Sequence, residues 1–496
     1  MVKSILFGGR AGQGPNILTA LIAEALVSKG YYVFYSRDYQ SLIRGGHNFN
    51  VLSFSSKPIS SNESKVDLIV ALDENTVNLH KKDLKAGGVI LKGEHDNMYF
   101  AGAMFRVLGI EFDILEERLR KLKKFEENLE HAKQGYNEEK REIKINSSKF
   151  KTKFDFLNGS QAVCNGAIKS GLEVYYAYPM TPATPLLFEL APKQAENNFV
   201  CIELENEIAV AMASLGSAAT GAKTMMGTSG GGFDLMTEAF SMAGMAEIPF
   251  VAYLAMRPGP GTGVATYTGQ GDLNLVRHGG HGEFFRLVVA PGDCVECEEL
   301  TSQVFYFSQK YKIPALLLSD KHLAESFYTS SERARITKSQ KSVVLKRFNS
   351  YEHNSAGEAT ENSSIISKEV ERRNKKTKDV EKEAEKFEMF KIYGKKDSKN
   401  LVVSYGSTKG AILDSIKDLD CKFMQILYIE PFSKKIEAEL GKAKKIILVE
   451  NSATGMLGDL IREKTGIKIE DKNKILRYDG RPFNYDLLRE DIRRRL

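Results

Sequence analysis

The residues Val174-Tyr-Tyr-Ala-Tyr178-Pro-Met-Thr-Pro-Ala-Thr-Pro185 decide the fold, because they fix where a strand ends and a helix begins. The apolar run at its start predicts a buried strand. Three prolines in the next eight residues exclude a helix interior or a central strand, since each fixes φ and lacks an amide donor. Pro185 then predicts a helix with proline in its first turn. We expect a stiff loop at the carboxyl end of a parallel strand, where open α/β sheets bind ligands, with the hydroxyls of Thr181 and Thr184 held on it. From the residues alone, a ligand-binding loop and an ordinary helix entry are both open.

The stretch lies within a regular alternation of apolar runs and helical patterns. Further strands are predicted near residues 199–203, 223–227, 249–254, 286–289 and 314–319. This alternation predicts a parallel sheet with helices on both faces. Similar alternations occupy both ends of the chain, with strands predicted at 3–7 and 31–36, and again at 401–406 and 444–450. The fold class is therefore α/β, with three domains built on mainly parallel sheets.

Changes in composition mark the domain boundaries. The three α/β domains are expected at residues 1–113, 158–325 and 396–496. Residues 114–157 are dense in Glu, Lys and Arg at helical spacing, which predicts a charged helical connector. Residues 326–395 are dominated by Ser, Lys, Glu and Asn, and this composition predicts a charged linker with helical patches.

Composition also excludes several classes of protein. Hydrophobic residues make up 42% of the 496 and charged residues 27%, which is ordinary for a globular protein. The net charge of +6 is small and spread along the chain, so we expect no nucleic-acid partner. The five cysteines argue against a disulfide framework and for a reducing compartment. No apolar run approaches the roughly 18 residues of a membrane span, so we expect a soluble cytoplasmic protein.

Three further motifs leave alternatives open. Gly8-Gly-Arg-Ala-Gly-Gln-Gly14 fits the dinucleotide fingerprint loosely, without its third glycine, and Asp38 follows the next strand, so an NAD(P)-dependent oxidoreductase is one alternative function. Arg44 and His47 flank a glycine turn that suits an anionic ligand or a partner subunit, although an exposed turn explains them equally well. Cys294-x-x-Cys297 is a single pair at a predicted helix start, so no metal site is assigned to this chain.

Five segments rich in glycine, proline, threonine or acidic residues follow one another from residue 178. They are Tyr178-Pro-Met-Thr-Pro182, Glu203-Leu-Glu-Asn-Glu207, Thr228-Ser-Gly-Gly-Gly-Phe233, Arg257-Pro-Gly-Pro-Gly-Thr-Gly263 and Gln270-Gly-Asp-Leu273. Their order resembles the α subunit of the 2-oxoacid:ferredoxin oxidoreductases, as do Val449-Glu-Asn-Ser-Ala-Thr-Gly455 and Tyr478-Asp-Gly-Arg-Pro-Phe483. Residues 1 to about 110 resemble the γ subunit of that family. The resemblance implies a γ–α fusion with a γ-type domain, a pyrimidine-type thiamine diphosphate-binding domain and a transketolase-C-terminal-like domain.

The resemblance also implies a function. The family carries out oxidative decarboxylation of a 2-oxoacid to an acyl-coenzyme A and passes the electrons to ferredoxin. Thiamine diphosphate lies between the α and β subunits, so this chain would supply the aminopyrimidine half of the site. Mg²⁺ and an iron–sulfur cluster are expected on the β subunit, coenzyme A is the co-substrate, and an (αβ)2 hetero-oligomer is expected. A non-catalytic assembly subunit is a further alternative.

Residue roles follow from the same resemblance. Glu207 would be the catalytic acid at the aminopyrimidine ring, and Glu205 is the nearest alternative. The expected substrate-binding residues are Thr181, Arg257 and Thr266, with Thr262 as a weaker candidate. The expected cofactor-binding residues are Tyr178, Pro179, Glu207, Thr228 and Ser229. Ala265 and Gly269 stand where the family has proline and glutamate, so the loop from Arg257 to Asp272 is expected to be more mobile or shaped for a different 2-oxoacid.

Overall fold

The computed structural model describes residues 2–40, 46–143, 145, 154–342 and 349–496. Its strands are β1 (Lys3–Arg10), β2 (Tyr32–Asp38), β3 (His47–Ser55), β4 (Val66–Ala71), β5 (Leu84–Lys92), β6 (Asp155–Asn158), β7 (Val174–Ala177), β8 (Val200–Glu203), β9 (Thr224–Thr228), β10 (Val251–Met256), β11 (Leu287–Val289), β12 (Ala315–Asp320), β13 (Phe327–Ser330), β14 (Phe390–Gly394), β15 (Asn400–Tyr405), β16 (Lys422–Ile426), β17 (Tyr428–Glu430), β18 (Lys445–Glu450) and β19 (Lys474–Leu476).

Helices connect most of these strands. They are α1 (Pro15–Ser28), α2 (Glu74–His80), α3 (Asn97–Val107), α4 (Phe112–Leu119), α5 (Phe125–Glu138), α6 (Gly159–Lys169), α7 (Thr184–Leu190), α8 (Gln194–Asn197), α9 (Glu207–Ala219), α10 (Gly230–Ala246), α11 (Leu273–His278), α12 (Cys294–Tyr311), α13 (Lys321–Glu325), α14 (Ser363–Ala384), α15 (Thr408–Ser415), α16 (Lys434–Gly441), α17 (Met456–Thr465) and α18 (Tyr485–Arg493). No helix among the described residues is long and apolar enough to cross a membrane.

The chain forms two compact units. The first comprises residues 1–157, 326–331 and 483–490, and the second comprises 158–325, 332–482 and 491–496. The sheet of the first unit has the order β5-β4-β1-β3-β2-β13-β6. Its β1 pairs in parallel with β4 but antiparallel with β3, which in turn pairs antiparallel with β2. The sheet is therefore more mixed than the predicted, mainly parallel one.

This topology bears on the glycine loop that follows β1. A dinucleotide-binding fold places its first two strands side by side in parallel, so that the acid after the second strand reaches the ribose. Here β3 lies between β1 and β2. The order of strands disfavours the NAD(P) alternative, although the predicted strand, glycine loop and helix are all present.

The second unit contains the stretch that decides the fold. Its larger sheet has the order β17-β11-β12-β10-β9-β7-β8, in which the pairs from β11 to β8 are all parallel. Each of these strands begins and ends within two residues of its prediction, because each is a short apolar run. The predicted α/β class and parallel sheet are confirmed.

A third sheet, of order β14-β16-β15-β18-β19, completes the second unit. It is parallel except for β14, which pairs antiparallel with β16. The two sheets of this unit are not separate: β17, which comes directly after β16, pairs antiparallel with β11 of the larger sheet. One apolar core also runs through both, and it includes Phe240, Leu254, Val403 and Leu448. The division between residues 158–325 and 396–496 therefore separates two sheets within one compact unit.

The two charged segments have more structure than their composition indicates. In the predicted connector, α5 packs so closely on α3 that a methyl group on Gly102 or Gly135 would overlap backbone atoms of the opposite helix. The predicted linker contributes β13 to the first sheet, where it pairs with β2. It also forms α14, in which Val380 and Ala384 are buried and Arg372 and Lys376 pair with Glu247.

Candidate active site

The site residues follow four adjacent strands of the larger sheet. In the order β10-β9-β7-β8, the strands are followed by Arg257, Ser229, Tyr178 and the segment that leads to Glu207. The strands run parallel, so their carboxyl ends lie at one edge of the sheet. This is where ligands bind in open α/β sheets.

The proline loop connects β7 to α7. Tyr178 is exposed, and Pro179 and Thr181 are partly buried. The peptide bond between Thr181 and Pro182 is cis. Thr184 is the first residue of α7 and Pro185 lies in its first turn, as the sequence predicts. Thr184 therefore begins a helix, and Thr181 is the threonine that remains within the loop.

Burial separates Glu207 from its acidic neighbours. Glu203 is exposed at the end of β8, and Glu205 is exposed in the segment before α9. Glu207 is the first residue of α9 and only 5% exposed. Asn206 caps this helix by accepting a hydrogen bond from the amide of Ala209 at 2.9 Å. The helix dipole stabilises an acid at this position. Glu207 is thus the acid that the fold holds in a dry site, and its catalytic role stays a prediction.

Thr228 and Ser229 lie at the junction of β9 and α10, and both are buried. Ser229 is the N-cap residue of α10, yet its side chain caps no helix amide. Its Oγ is buried and has no hydrogen-bond partner among the described residues. A buried hydroxyl without a partner is rare in folded proteins. It marks a place where a ligand atom is expected.

Glycines bring this junction to Glu207. A methyl group on Gly232 would overlap Thr228 Oγ1 and would lie 3.0 Å from Glu207 Oε1. The carboxyl of Glu207 and the hydroxyl of Thr228 therefore both lie next to Gly232 in the first turn of α10. The predicted residues from two different strands converge here, and only glycine fits between them.

Arg257 links the next strand to the proline loop. Its Nη1 donates a hydrogen bond to the backbone oxygen of Thr181 at 2.8 Å. Its Nε is buried and without a hydrogen-bond partner in the described part of the chain. Burial lowers the pKa of Arg257 from its ordinary value, while the nearby Asp272 carboxylate opposes this shift. The guanidinium is therefore anchored at one corner, with the Nε group left for a ligand.

Asp272 is the residue that the sequence did not single out. Its carboxyl lies against the start of α10, where a methyl group on Gly230 would be 2.5 Å from Oδ2. Oδ2 is buried and accepts no hydrogen bond from the residues that the structure describes. Burial, reinforced by Asp234, raises the pKa of Asp272 to about 6, and Arg257 opposes the rise. Asp272 thus connects Arg257 with the Ser229 junction. Its position after a glycine in Gln270-Gly-Asp-Leu273 was the available signal.

The remaining candidates are distributed over the molecule. Thr266 is buried in the loop after Arg257, and Thr262 is exposed there. Cys294 and Cys297 are both buried in the first turns of α12, as predicted, and burial raises the pKa of each thiol. His47 in β3 meets His80, with 2.9 Å between their Nε2 atoms. Arg44 lies outside the described residues. The described residues contain no cluster of three or more potential metal ligands.

Two family profiles match the chain. The profile of the thiamine diphosphate-binding region of pyruvate flavodoxin/ferredoxin oxidoreductase matches residues 165–394, and that of pyruvate ferredoxin/flavodoxin oxidoreductase matches residues 4–96. The chain is 28% identical to the α subunit of a Sulfolobus 2-oxoacid:ferredoxin oxidoreductase, over 99% of this chain and 96% of the relative. It is 36% identical to the KorA subunit of the Methanocaldococcus jannaschii 2-oxoglutarate synthase, over 34% of this chain and 46% of the relative.

A solved structure shares the fold over the full length. It is the 2-oxoglutarate:ferredoxin oxidoreductase of Magnetococcus marinus, determined with 2-oxoglutarate, coenzyme A and succinyl-CoA bound. The TM-score is 0.90 at 23% identity, and the match covers 100% of this chain and 99% of the other. At this identity the likeness establishes the architecture.

Proposed function

This chain belongs to the 2-oxoacid:ferredoxin oxidoreductase family, and from that premise we propose that it supplies the aminopyrimidine half of a thiamine diphosphate site together with the loops that bind the 2-oxoacid. The reaction is oxidative decarboxylation of a 2-oxoacid to an acyl-coenzyme A, with electrons passed to ferredoxin. The full-length match to a curated α subunit supports this function over the NAD(P) and assembly alternatives.

The residues present fit the aminopyrimidine half of the cofactor. The site offers a buried carboxyl on Glu207 and an unpartnered buried hydroxyl on Ser229, over a glycine-lined helix start. An aminopyrimidine carries a basic ring nitrogen and an exocyclic amino group, so it needs an acid and a hydrogen-bonding partner. Glu207, Thr228 and Ser229 would hold the ring, with Tyr178 and Pro179 at the more exposed side.

Thiamine diphosphate, when bound, supplies the nucleophilic carbon and the electron sink that decarboxylation requires. The part played by Glu207 is to share a proton with the ring through its carboxyl oxygens. A dry environment strengthens this hydrogen bond, and the start of α9 tolerates the carboxylate when the proton leaves. Positioned proton transfer of this kind contributes roughly 10²- to 10⁴-fold to a rate.

Arg257 and Thr181 would bind the 2-oxoacid. Since Nη1 of Arg257 is engaged by the Thr181 backbone oxygen, the edge formed by Nε and Nη2 remains for a carboxylate. Two parallel N–H groups match the two oxygens of that carboxylate. Because the bond holds the backbone of Thr181 next to the arginine, the Thr181 hydroxyl would be near enough to donate to the 2-oxo group. Thr266 would complete the set from the other side of the loop.

The chemistry also needs partners. A β subunit would carry the diphosphate–Mg²⁺ half of the cofactor site and an iron–sulfur cluster, and ferredoxin and coenzyme A would be the other reactants. An (αβ)2 hetero-oligomer is the expected assembly. Residues 1–113 contain the second family match and would form the γ-type domain.

The observation that carries the proposal is the hydrogen bond between Arg257 and Thr181, because it joins two predicted substrate-binding residues from different loops. The test is co-expression with a β subunit of the same family, followed by assay of acyl-coenzyme A formation and viologen reduction. Turnover with one of pyruvate, 2-oxoglutarate or branched-chain 2-oxoacids is expected. No turnover with any of them in a cofactor-loaded complex would refute the proposal.

A further inference from the structure

Gln270 is fully buried at the end of the loop that begins at Arg257, and all four of its polar groups are hydrogen-bonded. Its amide donates to the backbone oxygen of Asn451 at 2.7 Å, and the Asn451 amide donates to Gln270 Oε1 at 2.7 Å. Its Nε2 donates to the backbone oxygen of Tyr405 at 2.9 Å, and the Tyr405 hydroxyl donates to the Gln270 backbone oxygen at 3.3 Å. The side chain and the peptide groups of Gln270 are therefore held by two residues at the ends of strands in the third sheet.

Those two residues mark the carboxyl ends of neighbouring strands. Tyr405 ends β15, Asn451 follows β18 directly, and these strands pair in parallel in the third sheet. Gln270 thus bridges two adjacent strand ends with both its backbone and its side chain. Gly406 packs closely beside it, since a methyl group there would lie 2.9 Å from Gln270 Nε2. The geometry leaves little room for a different side chain or a shifted loop.

The fixed end of the loop lies close to its beginning. Gly269 lies near Pro258, where an added methyl group would be in ordinary van der Waals contact, 3.4 Å from the proline nitrogen. The oxygen of Pro258 accepts a hydrogen bond from the amide of Val264 at 3.0 Å. Pro258 follows Arg257 directly, so the end of the loop at Gly269 and Gln270 lies beside its beginning at Arg257. The loop from Arg257 to Asp272 is therefore anchored, although Ala265 and Gly269 stand where the family has proline and glutamate.

A second contact holds the middle of the loop. The amide of Thr268 donates to the oxygen of Gly480 at 3.0 Å, and its hydroxyl donates to Asp320 at 3.2 Å. The guanidinium of Arg481 lies 3.8 Å from the centre of the Tyr267 ring. The contacts with Gly480 and Arg481 come from the same C-terminal region that holds Gln270, whereas Asp320 ends β12 of the larger sheet. The middle of the loop is therefore held by the segment after β19 and by the end of β12.

We propose that Gln270 is a positioning residue for the 2-oxoacid, which sets the place of Arg257 and Thr266 by fixing their loop on the ends of β15 and β18. The inference rests on the proposed function for its substrate. It assigns a role in substrate binding to the C-terminal sheet, which contains no predicted substrate-binding residue.

The first test is Gln270→Met in the complex with the β subunit. Methionine keeps the length and volume of the side chain and removes both of its hydrogen bonds. The KM for the 2-oxoacid should rise at least tenfold, while kcat changes less than threefold and the KM for coenzyme A stays the same. The matched control is Gln425→Met, since Gln425 is also fully buried in this sheet and donates to Glu296. An unchanged KM in Gln270→Met, or an equal rise in the control, would overturn the proposal.

Gln270→Glu gives a signature that loss of stability alone would not produce. A protonated glutamic acid can donate to the Tyr405 oxygen and accept from the Asn451 amide, as glutamine does. The ionised form would place two acceptors against each other. The carboxyl groups of Asp272, Asp320 and Glu450 lie close enough to the neighbouring Tyr405 to interact with it electrostatically. Their negative charge would favour the protonated form of a glutamic acid at position 270. The KM ratio between variant and wild type should therefore fall toward one as the pH is lowered. A ratio independent of pH would contradict the proposed role.

A measurement without turnover separates this inference from the proposed function. Hydrogen–deuterium exchange of residues 257–272 in the full chain should become faster in Gln270→Met and remain unchanged in Gln425→Met. Unchanged exchange in Gln270→Met would refute the anchoring itself. If exchange becomes faster in Gln270→Met but the wild-type complex turns over no 2-oxoacid, the anchoring by Gln270 is supported and the proposed substrate is rejected.

Discussion

Arg257 Nη1 donates a hydrogen bond to the backbone oxygen of Thr181, and this bond joins the carboxyl ends of two strands that are separated in the sheet by β9. It orients the guanidinium so that Nε faces the interior without a partner among the described residues. A substrate carboxylate can then be bound by two parallel N–H groups. Arginine suits the proposed role because one guanidinium can make both contacts.

Arg257→Lys should therefore raise the KM for the 2-oxoacid. A lysine cannot hold the Thr181 oxygen and also bind a carboxylate with two parallel donors. Hydrogen bonds to charged groups are worth about 1.5–3 kcal/mol, so a rise of roughly 10- to 100-fold is expected. Arg372→Lys, on α14, serves as the control because Arg372 pairs with Glu247. Wild-type steady-state kinetics in Arg257→Lys would exclude the assigned role.

Gly232→Ala should displace Thr228 and Glu207 from their positions beside Gly232. The added methyl group would overlap Thr228 Oγ1 and press on Glu207 Oε1. We expect kcat to fall by about two orders of magnitude if the proton transfer through Glu207 is displaced. Gly231→Ala is the matched control, since its methyl group would lie 3.8 Å from the nearest atom, the oxygen of Gly261. Equal activities of the two variants would show that the convergence is not used in catalysis.

Asp272 predicts a dependence of stability on pH. Burial raises its pKa from 3.8 to about 6, so the native state holds the proton more tightly than the unfolded state. The cost of the buried charge is absent below about pH 4, grows as the pH rises toward 6, and is full above that value. Asp272→Asn should therefore raise the unfolding temperature relative to wild type at pH 7, and this gain should disappear near pH 4. A gain of the same size at both pH values would place the cause elsewhere.

Local patterns were enough to predict the strands of the larger sheet and the loops that follow them. Short apolar runs bounded by glycine and proline located β7 to β12, and the prolines located the loop between β7 and α7. Pairing between strands that are distant in sequence could not be predicted, because it leaves no local pattern of residues. Three-residue β17 joins β11 from 139 positions away, as the partners Val289 and Tyr428 show, and β13 pairs with β2 across almost 300 residues.

The candidate site shows the same division. The resemblance of motifs proposed Glu207 over Glu205, and the buried position of Glu207 is consistent with that choice. The sequence could not show that Arg257 reaches Thr181, because the bond depends on how two loops fold against each other. It also could not show the four hydrogen bonds of Gln270, whose partners lie 135 and 181 residues further along the chain. The sequence did not single out Asp272 either, because its raised pKa depends on burial by segments that are distant along the chain.

The paired variants Glu207→Gln and Glu205→Gln test the central claim most directly. The measurement is the rate of acyl-coenzyme A formation, with viologen reduction, by the complex of this chain with its β subunit. We expect Glu207→Gln to lower kcat by roughly 10²- to 10⁴-fold, because glutamine cannot share a proton with the ring, and we expect Glu205→Gln to retain wild-type turnover, because its side chain is exposed. Full turnover in Glu207→Gln, or loss confined to Glu205→Gln, would contradict the account.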